Sequence, residues 1–189
     1  MIESEMSTSA TVKEDVQGDF IAAAARGDDA TVALALLDSR VNLNQARNGV
    51  TALAAAANCR HLSVIDVLLN DPRVDPNARG RGRRTPLLSV LEQSKYAVRY
   101  RATLKGGLGD LGTSYLAVVQ RLLEDGRVDP NAEDDHGRGA LDVACQPFMC
   151  ADMPYEVPPS VPLLRLLLAN KRTQPSQHQW RAAPFYDAA

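Results

Sequence analysis

Neither sign of charge is in excess. The 189 residues carry 21 Lys and Arg against 23 Asp and Glu, for a net charge of −2 and a pI near 5.9. That excludes a global attraction to nucleic acid or to an anionic membrane, so any anionic partner must be read by a local patch. Cysteine is scarce: Cys59, Cys145 and Cys150 cannot all pair, and the acidic, Ser- and Thr-rich start from Met1 to Asp15 does not resemble a secretory signal. Both features favour a reducing compartment, so an intracellular protein, cytoplasmic or nuclear, is expected. No run reaches the ~20 apolar residues of a membrane span, since Arg165 interrupts the longest leucine cluster. A soluble protein with no membrane partner follows.

The usual signatures of chemistry are missing as well. Cys145 and Cys150 enclose four residues with no second pair, whereas zinc knuckles bring ligands in CxxC-like pairs. Cys59 stands two residues from His61, but no catalytic base with an orienting acid is identifiable around either thiol. Gly107-Leu108-Gly109-Asp110-Leu111-Gly112 spells GxGxxG, yet no strand precedes it, and Gly112-Thr113-Ser114 stands where a P-loop needs Gly-Lys-Ser/Thr. No catalytic residue, metal or cofactor is expected, and the chain reads as a protein that is not an enzyme.

What is present is repetition. Val74-Asp75-Pro76-Asn77 leads into a glycine- and arginine-rich stretch, after which Thr85-Pro86-Leu87 opens an apolar run as N-cap and first helical residues. The same grammar places Val41-Asn42-Leu43-Asn44 before Thr51-Ala52-Leu53, and Val128-Asp129-Pro130-Asn131 before Gly139-Ala140-Leu141. Asn44 and Asn77 are 33 residues apart, a period that belongs to stacked helix pairs joined by projecting hairpins. With Thr51 through Ala57, His61, Val64-Ile65 and Leu68-Leu69, the second unit resembles the ankyrin-repeat family almost position by position. The resemblance covers roughly Gly18 to Ala169 and implies an all-α solenoid of helix-turn-helix units joined by projecting hairpin loops. Where the family's opening Thr-Pro-Leu-His carries histidine, this sequence has Ala54, Leu88 and Asp142, and Gly139 replaces threonine, so the fourth unit is expected to be the least ideal.

The chain is therefore divided into an arm at 1–15 without apolar periodicity and expected to be disordered, repeat units at about 18–50, 51–84, 85–138 and 139–169, and a tail at 170–189. Phe20 aligns with Leu53, Ala23-Ala24 with Ala56-Ala57, Gly27 with Arg60 and Leu36 with Leu69. Twenty inserted residues swell the third unit, and the spacing predicts that they first prolong its helix to near Leu104. Eleven more swell the fourth, in a loop holding Pro147, Pro154, Pro158 and Pro159. The leucine-rich helix near Leu163 is no polar cap, so Trp180, Phe185 and Tyr186 are expected to cover it.

The resemblance implies a non-catalytic module that binds a protein partner through hairpin tips and a concave helical face. Candidate contact residues are Arg79, Arg81, Arg83 and Arg84 at one tip, Glu133, Asp134 and Asp135 at the next, and Tyr96, Arg99 and Tyr100 on the prolonged helix. The arginines are expected to be exposed and dispensable for stability. Two alternatives are an inhibitory or accessory subunit of an enzyme, and phosphate or nucleic-acid binding through Arg79 to Arg84 with the Lys95 to Lys105 helix; the missing basic surplus disfavours nucleic acid.

Overall fold

The computed structural model describes residues 15–103, 111–145 and 160–174. Among these are eight α-helices, and the only β pairing is an isolated bridge between Arg47 and Val50. The helices are α1 (Val16–Arg26), α2 (Asp29–Leu37), α3 (Ala52–Cys59), α4 (Leu62–Asn70), α5 (Pro86–Thr103), α6 (Leu111–Glu124), α7 (Ala140–Cys145) and α8 (Val161–Ala169). They form four consecutive pairs. One row runs α1, α3, α5, α7, each helix touching the next, while α2 packs on α4 and α6 on α8 in a second row. The connecting loops and hairpins leave this double row at one end of each unit.

Local chemistry sets the helix limits. Asp15 caps α1 by accepting from the Gly18 amide at 3.0 Å, and Asp28 caps α2 through the Thr31 amide at 3.0 Å. Gly27 and Arg60, aligned in the sequence, both end their helices in the left-handed region, with φ of 78° and 66°. A Cβ on Gly27 would also strike the His61 ring, whose Nε2 lies 3.0 Å from the Ala25 carbonyl and ties the second unit to the first. Thr51 and Thr85 are buried and cap α3 and α5 through the amides of Ala54 and Leu88. At the fourth unit Asp142 reaches back to the Gly139 amide at 2.8 Å. An acid three positions into the helix thus supplies a bond at the joint where threonine is absent.

The core is a strip between the rows. All six side chains from Ala52 to Ala57 are buried, as are Phe20, Ile65, Leu68, Leu87, Leu91, Val118, Leu122 and Leu167. Small alanines let α3 lie close to α1 and α5 while favouring helix. The inserted residues prolong α5 as the spacing predicts: it has 18 residues against 8 in α3, an extra ~15 Å at 1.5 Å per residue. The glycine-rich stretch from 106 falls mostly outside the described residues, as do the proline-rich loop, the arm at 1–14 and the tail from 175.

The loops after α2, α4, α6 and α8 form a connected ladder. Each begins with an Asx turn: Asp38, Asp71, Asp125 and Asn170 accept from the amides of Arg40, Arg73, Arg127 and Arg172, all at 2.9 Å. Three of those arginines reach back to the preceding unit, Arg73 to Leu36 O at 2.6 Å, Arg127 to Leu69 O at 2.6 Å and Arg172 to Leu123 O at 2.9 Å. These carbonyls sit at helix C-termini, where orphan acceptors and the dipole both favour a cation. Asparagines reach forward. The Asn44 carboxamide donates to Arg73 O at 2.9 Å and accepts from Asp75 N at 2.7 Å. Asn77 does the same to Arg127 and Asp129, and Asn131 to Arg172 and Gln174. At the front, where no earlier asparagine is available, Gln17 of α1 clasps Asn42 through N–H and C=O at 2.9 and 3.0 Å. Asn170 to Gln174 are a fourth copy of this loop.

Candidate partner-binding surface

Three hairpin tips stand in a row, joined by their backbones. In the first, Asn48 and Gly49 both have positive φ, 51° and 80°, and Arg47 and Val50 exchange two bonds of 3.0 Å; Asn-Gly at the centre suits such a tight turn. In the second, Gly80 N donates to Arg84 O at 2.9 Å, and in the third Asp134 N donates to Arg138 O at 3.1 Å. The tips are chained: Arg81 N donates to Gly49 O at 2.7 Å, and Asp135 N to Gly82 O at 3.0 Å. The second and third tips close on equivalent residues, Gly80 with Arg84 and Asp134 with Arg138, but turn differently, since Gly82 has a φ of 69° and its counterpart His136 is not in the left-handed region.

That correspondence separates structural charges from spare ones. Arg79 donates to Arg83 O at 3.0 Å and to Glu133 O at 2.6 Å. It closes its own tip and holds the next. In the third tip Arg138 and Asp134 form a 2.6 Å ion pair with the Asp134 side chain 0% exposed. Burial pushes the Asp134 carboxyl up, but hydrogen bonds from Arg138 and the amides of Arg138 and His136 outweigh it and hold the carboxyl below its ordinary value. Asp134 is turned inward as an organiser of the turn, so its carboxylate has no free face for a partner. The equivalent of Asp134 in the second tip is Gly80, which leaves Arg84, the counterpart of Arg138, without that carboxylate.

Arg83 is the most telling residue. Its φ is 56°, and its counterpart in the third tip is Gly137 at 70°. A left-handed conformation costs an L-residue with a Cβ about 1–2 kcal/mol, and glycine escapes it. Arginine therefore stands where the backbone calls for glycine, and Arg81 and Arg83 are both exposed. Among the described residues no carboxylate pairs with Arg81, Arg83 or Arg84. Asp135 lies near Gly82, and its Oδ1 is 3.5 Å from Nε2 of the His136 ring.

Tyr96, Arg99 and Tyr100 lie on the later turns of α5 and share one helical face by spacing. Tyr96 is ten residues past Pro86 on the helix, and the surroundings of these three side chains lie outside the described residues. Behind the tips, Arg121 pairs with Asp66 at 2.5 Å, and Arg60 lies over the Tyr115 ring at 5.1 Å, both joining the second unit to α6. Cys59 and Cys145 are exposed free thiols. Although the Cys145 residue is exposed overall, the protein around its sulfur and the charge of Asp142 push the thiol up, away from the thiolate form that a nucleophile needs.

Residues 48–81 match the family model of the ankyrin repeat. The chain carries an ankyrin repeat. The four helix pairs and their shared loop, with left-handed joints in the first two pairs, are consistent along the described residues with an all-α ankyrin-repeat fold. Ankyrin repeats generally mediate protein–protein interaction, and the family is typically non-catalytic. No curated protein matches the chain. Among the described residues no helix is long and apolar enough to cross a membrane.

Two signals were available and missed. The recurring asparagine marks the period, but its role as the tie between loops is legible only once the loops are stacked. The Asn-Lys-Arg-Thr-Gln run after Ala169 repeats the arginine of the earlier loops at the same position, and could have extended the repeat domain.

Proposed function

We propose that this ankyrin array is a non-catalytic recognition module whose second hairpin tip, through Arg81, Arg83 and Arg84, binds an acidic surface of a protein partner. The observation that carries the reading is Arg83 at φ 56° in the place of a glycine. Strain of that kind persists where surrounding structure enforces it, and it collects at functional sites. Three guanidinium groups on a tip fixed by backbone bonds on both sides are preorganised, which lowers the ordering cost of binding. Their planar forks suit carboxylates. The adjacent Glu133 and Asp135 oppose a uniform polyanion, which favours a protein with discrete acidic residues over nucleic acid.

The test is capture from the native cell with wild type and with the R81S/R83S/R84S variant in parallel, each with and without nuclease treatment. Proteins retained by wild type, insensitive to nuclease and lost with the variant support the reading, provided the unfolding midpoints agree. Identical retention by both proteins overturns it. Retention abolished by nuclease would assign the tip to nucleic acid instead.

A further inference from the structure

An arginine between two glycines occurs twice in the sequence, as Gly80-Arg81-Gly82 and as Gly137-Arg138-Gly139. The fold treats the two oppositely. The Arg138 guanidinium is turned inward, its Nη2 2.6 Å and its Nε 2.9 Å from Asp134 Oδ2, with the side chain only 13% exposed. Arg81 stands exposed on the second tip. Glycine flanks it in the chain and also lies against its stem from the first tip, where a Cβ on Gly49 would come within 2.5 Å of the Arg81 Cβ. Its amide is held by Gly49 O at 2.7 Å, but among the described residues nothing bonds its guanidinium. The other arginines of the tip differ: Arg79 gives its guanidinium to Arg83 O and Glu133 O, and Arg83 and Arg84 crowd each other as neighbours.

We infer that Arg81 is a modification site, the acceptor of a methyl group from a protein-arginine N-methyltransferase, and that Arg138 is not. Such a transfer requires a terminal guanidinium nitrogen to reach, down a narrow channel, the methyl of a sulfonium donor held by the modifying enzyme. The chain on either side of the arginine must then come up to the channel mouth, which residues without a Cβ allow. The nitrogen attacks the methyl carbon, the carbon–sulfur bond breaks with its electron pair going to sulfur, and a proton leaves the nitrogen for a base of the modifying enzyme. The donor departs as a neutral thioether, and the guanidinium keeps its positive charge. The methyl replaces an N–H and blocks the two-pronged bond to a carboxylate. Resting on the proposed reading of the tip, methylation of Arg81 is a switch that weakens partner binding at unchanged net charge. Arg138 escapes because entering such a channel would leave the buried Asp134 carboxylate without its cation.

The test sets the folded full chain beside synthetic peptides of residues 76–88 and 131–143. Each is incubated with S-adenosylmethionine and a methyltransferase selective for glycine-flanked arginine, and the methylated positions are mapped by mass spectrometry. Methyl is expected on Arg81 in the chain and on both arginines in the peptides, but not on Arg138 in the chain. An unmodified Arg81 in the folded chain, or Arg81 and Arg138 modified alike there, overturns the inference. So does an unmodified 131–143 peptide, which would place the selection in the sequence and not in the fold. Capture with the methylated chain reads the switch: retention of the wild-type partners should fall several-fold, and equal retention overturns it. Equal retention by the R81S/R83S/R84S variant would instead overturn the reading of the tip and leave the modification standing.

Discussion

At the scale of single residues, the loops assign charge and amide groups to separate tasks. Asn77 makes two bonds to the following loop, so Asn77→Ala leaves a donor and an acceptor on the backbone to solvent or to nothing. It should lower stability by about 1–3 kcal/mol in urea unfolding. Arg79→Ser removes two bonds to carbonyls and should cost roughly 1 kcal/mol or more, whereas Arg81→Ser should stay within ~0.5 kcal/mol of wild type. Equal losses at the two positions would contradict the division between a structural and a spare arginine. The Asp71 and Asp125 carboxyls are lowered first by side-chain bonds from Arg73 and Arg127, and Asp134 is lowered despite its burial. In the unfolded chain such groups titrate near ~4. As pH falls through that value the unfolded state takes up protons first, so stability is complete above it and declines until the folded-state values are passed. Unfolding midpoints measured from neutral to acid pH should show that fall, with a shallower slope in Asp134→Asn.

At the scale of elements, the first two units share a joint built from different residues. Gly27 and Arg60 both adopt a left-handed φ, but only Gly27 faces the His61 ring. Gly27→Ala should therefore cost at least ~1 kcal/mol, more than Arg60→Ala, which keeps a Cβ already tolerated there. Comparison of the two in thermal unfolding checks the difference. Much of this level was legible in the sequence, because helix pairs are written in local chemistry: threonine caps, alanine runs, Leu-Leu endings and the length of α5 before its first glycine. The loop ladder was not, since Asn44 and Arg73 meet across units and no local rule assigns them a partner. The burial of Asp134 was also hidden: in sequence Glu133, Asp134 and Asp135 are three equal acids, and only the turn that brings Arg138 back distinguishes the middle one.

For the whole molecule, the rows of helices and the ladder of loops together hold three tips in a fixed line, with one tip richer in charge than its fold requires. The period, the helix class and the arginine tip could be read from the residues. Which arginine is spare could not, because the answer depends on the neighbouring tip. The central claim is that the second tip keeps arginine at position 83 for a partner and at a cost to the fold. Arg83→Gly tests it in one variant with two readouts, urea unfolding and retention of the proteins that wild type captures. The account predicts a gain of roughly 1 kcal/mol, from relief of the left-handed strain, together with weaker retention. Unchanged or lower stability, or retention equal to wild type, would contradict it.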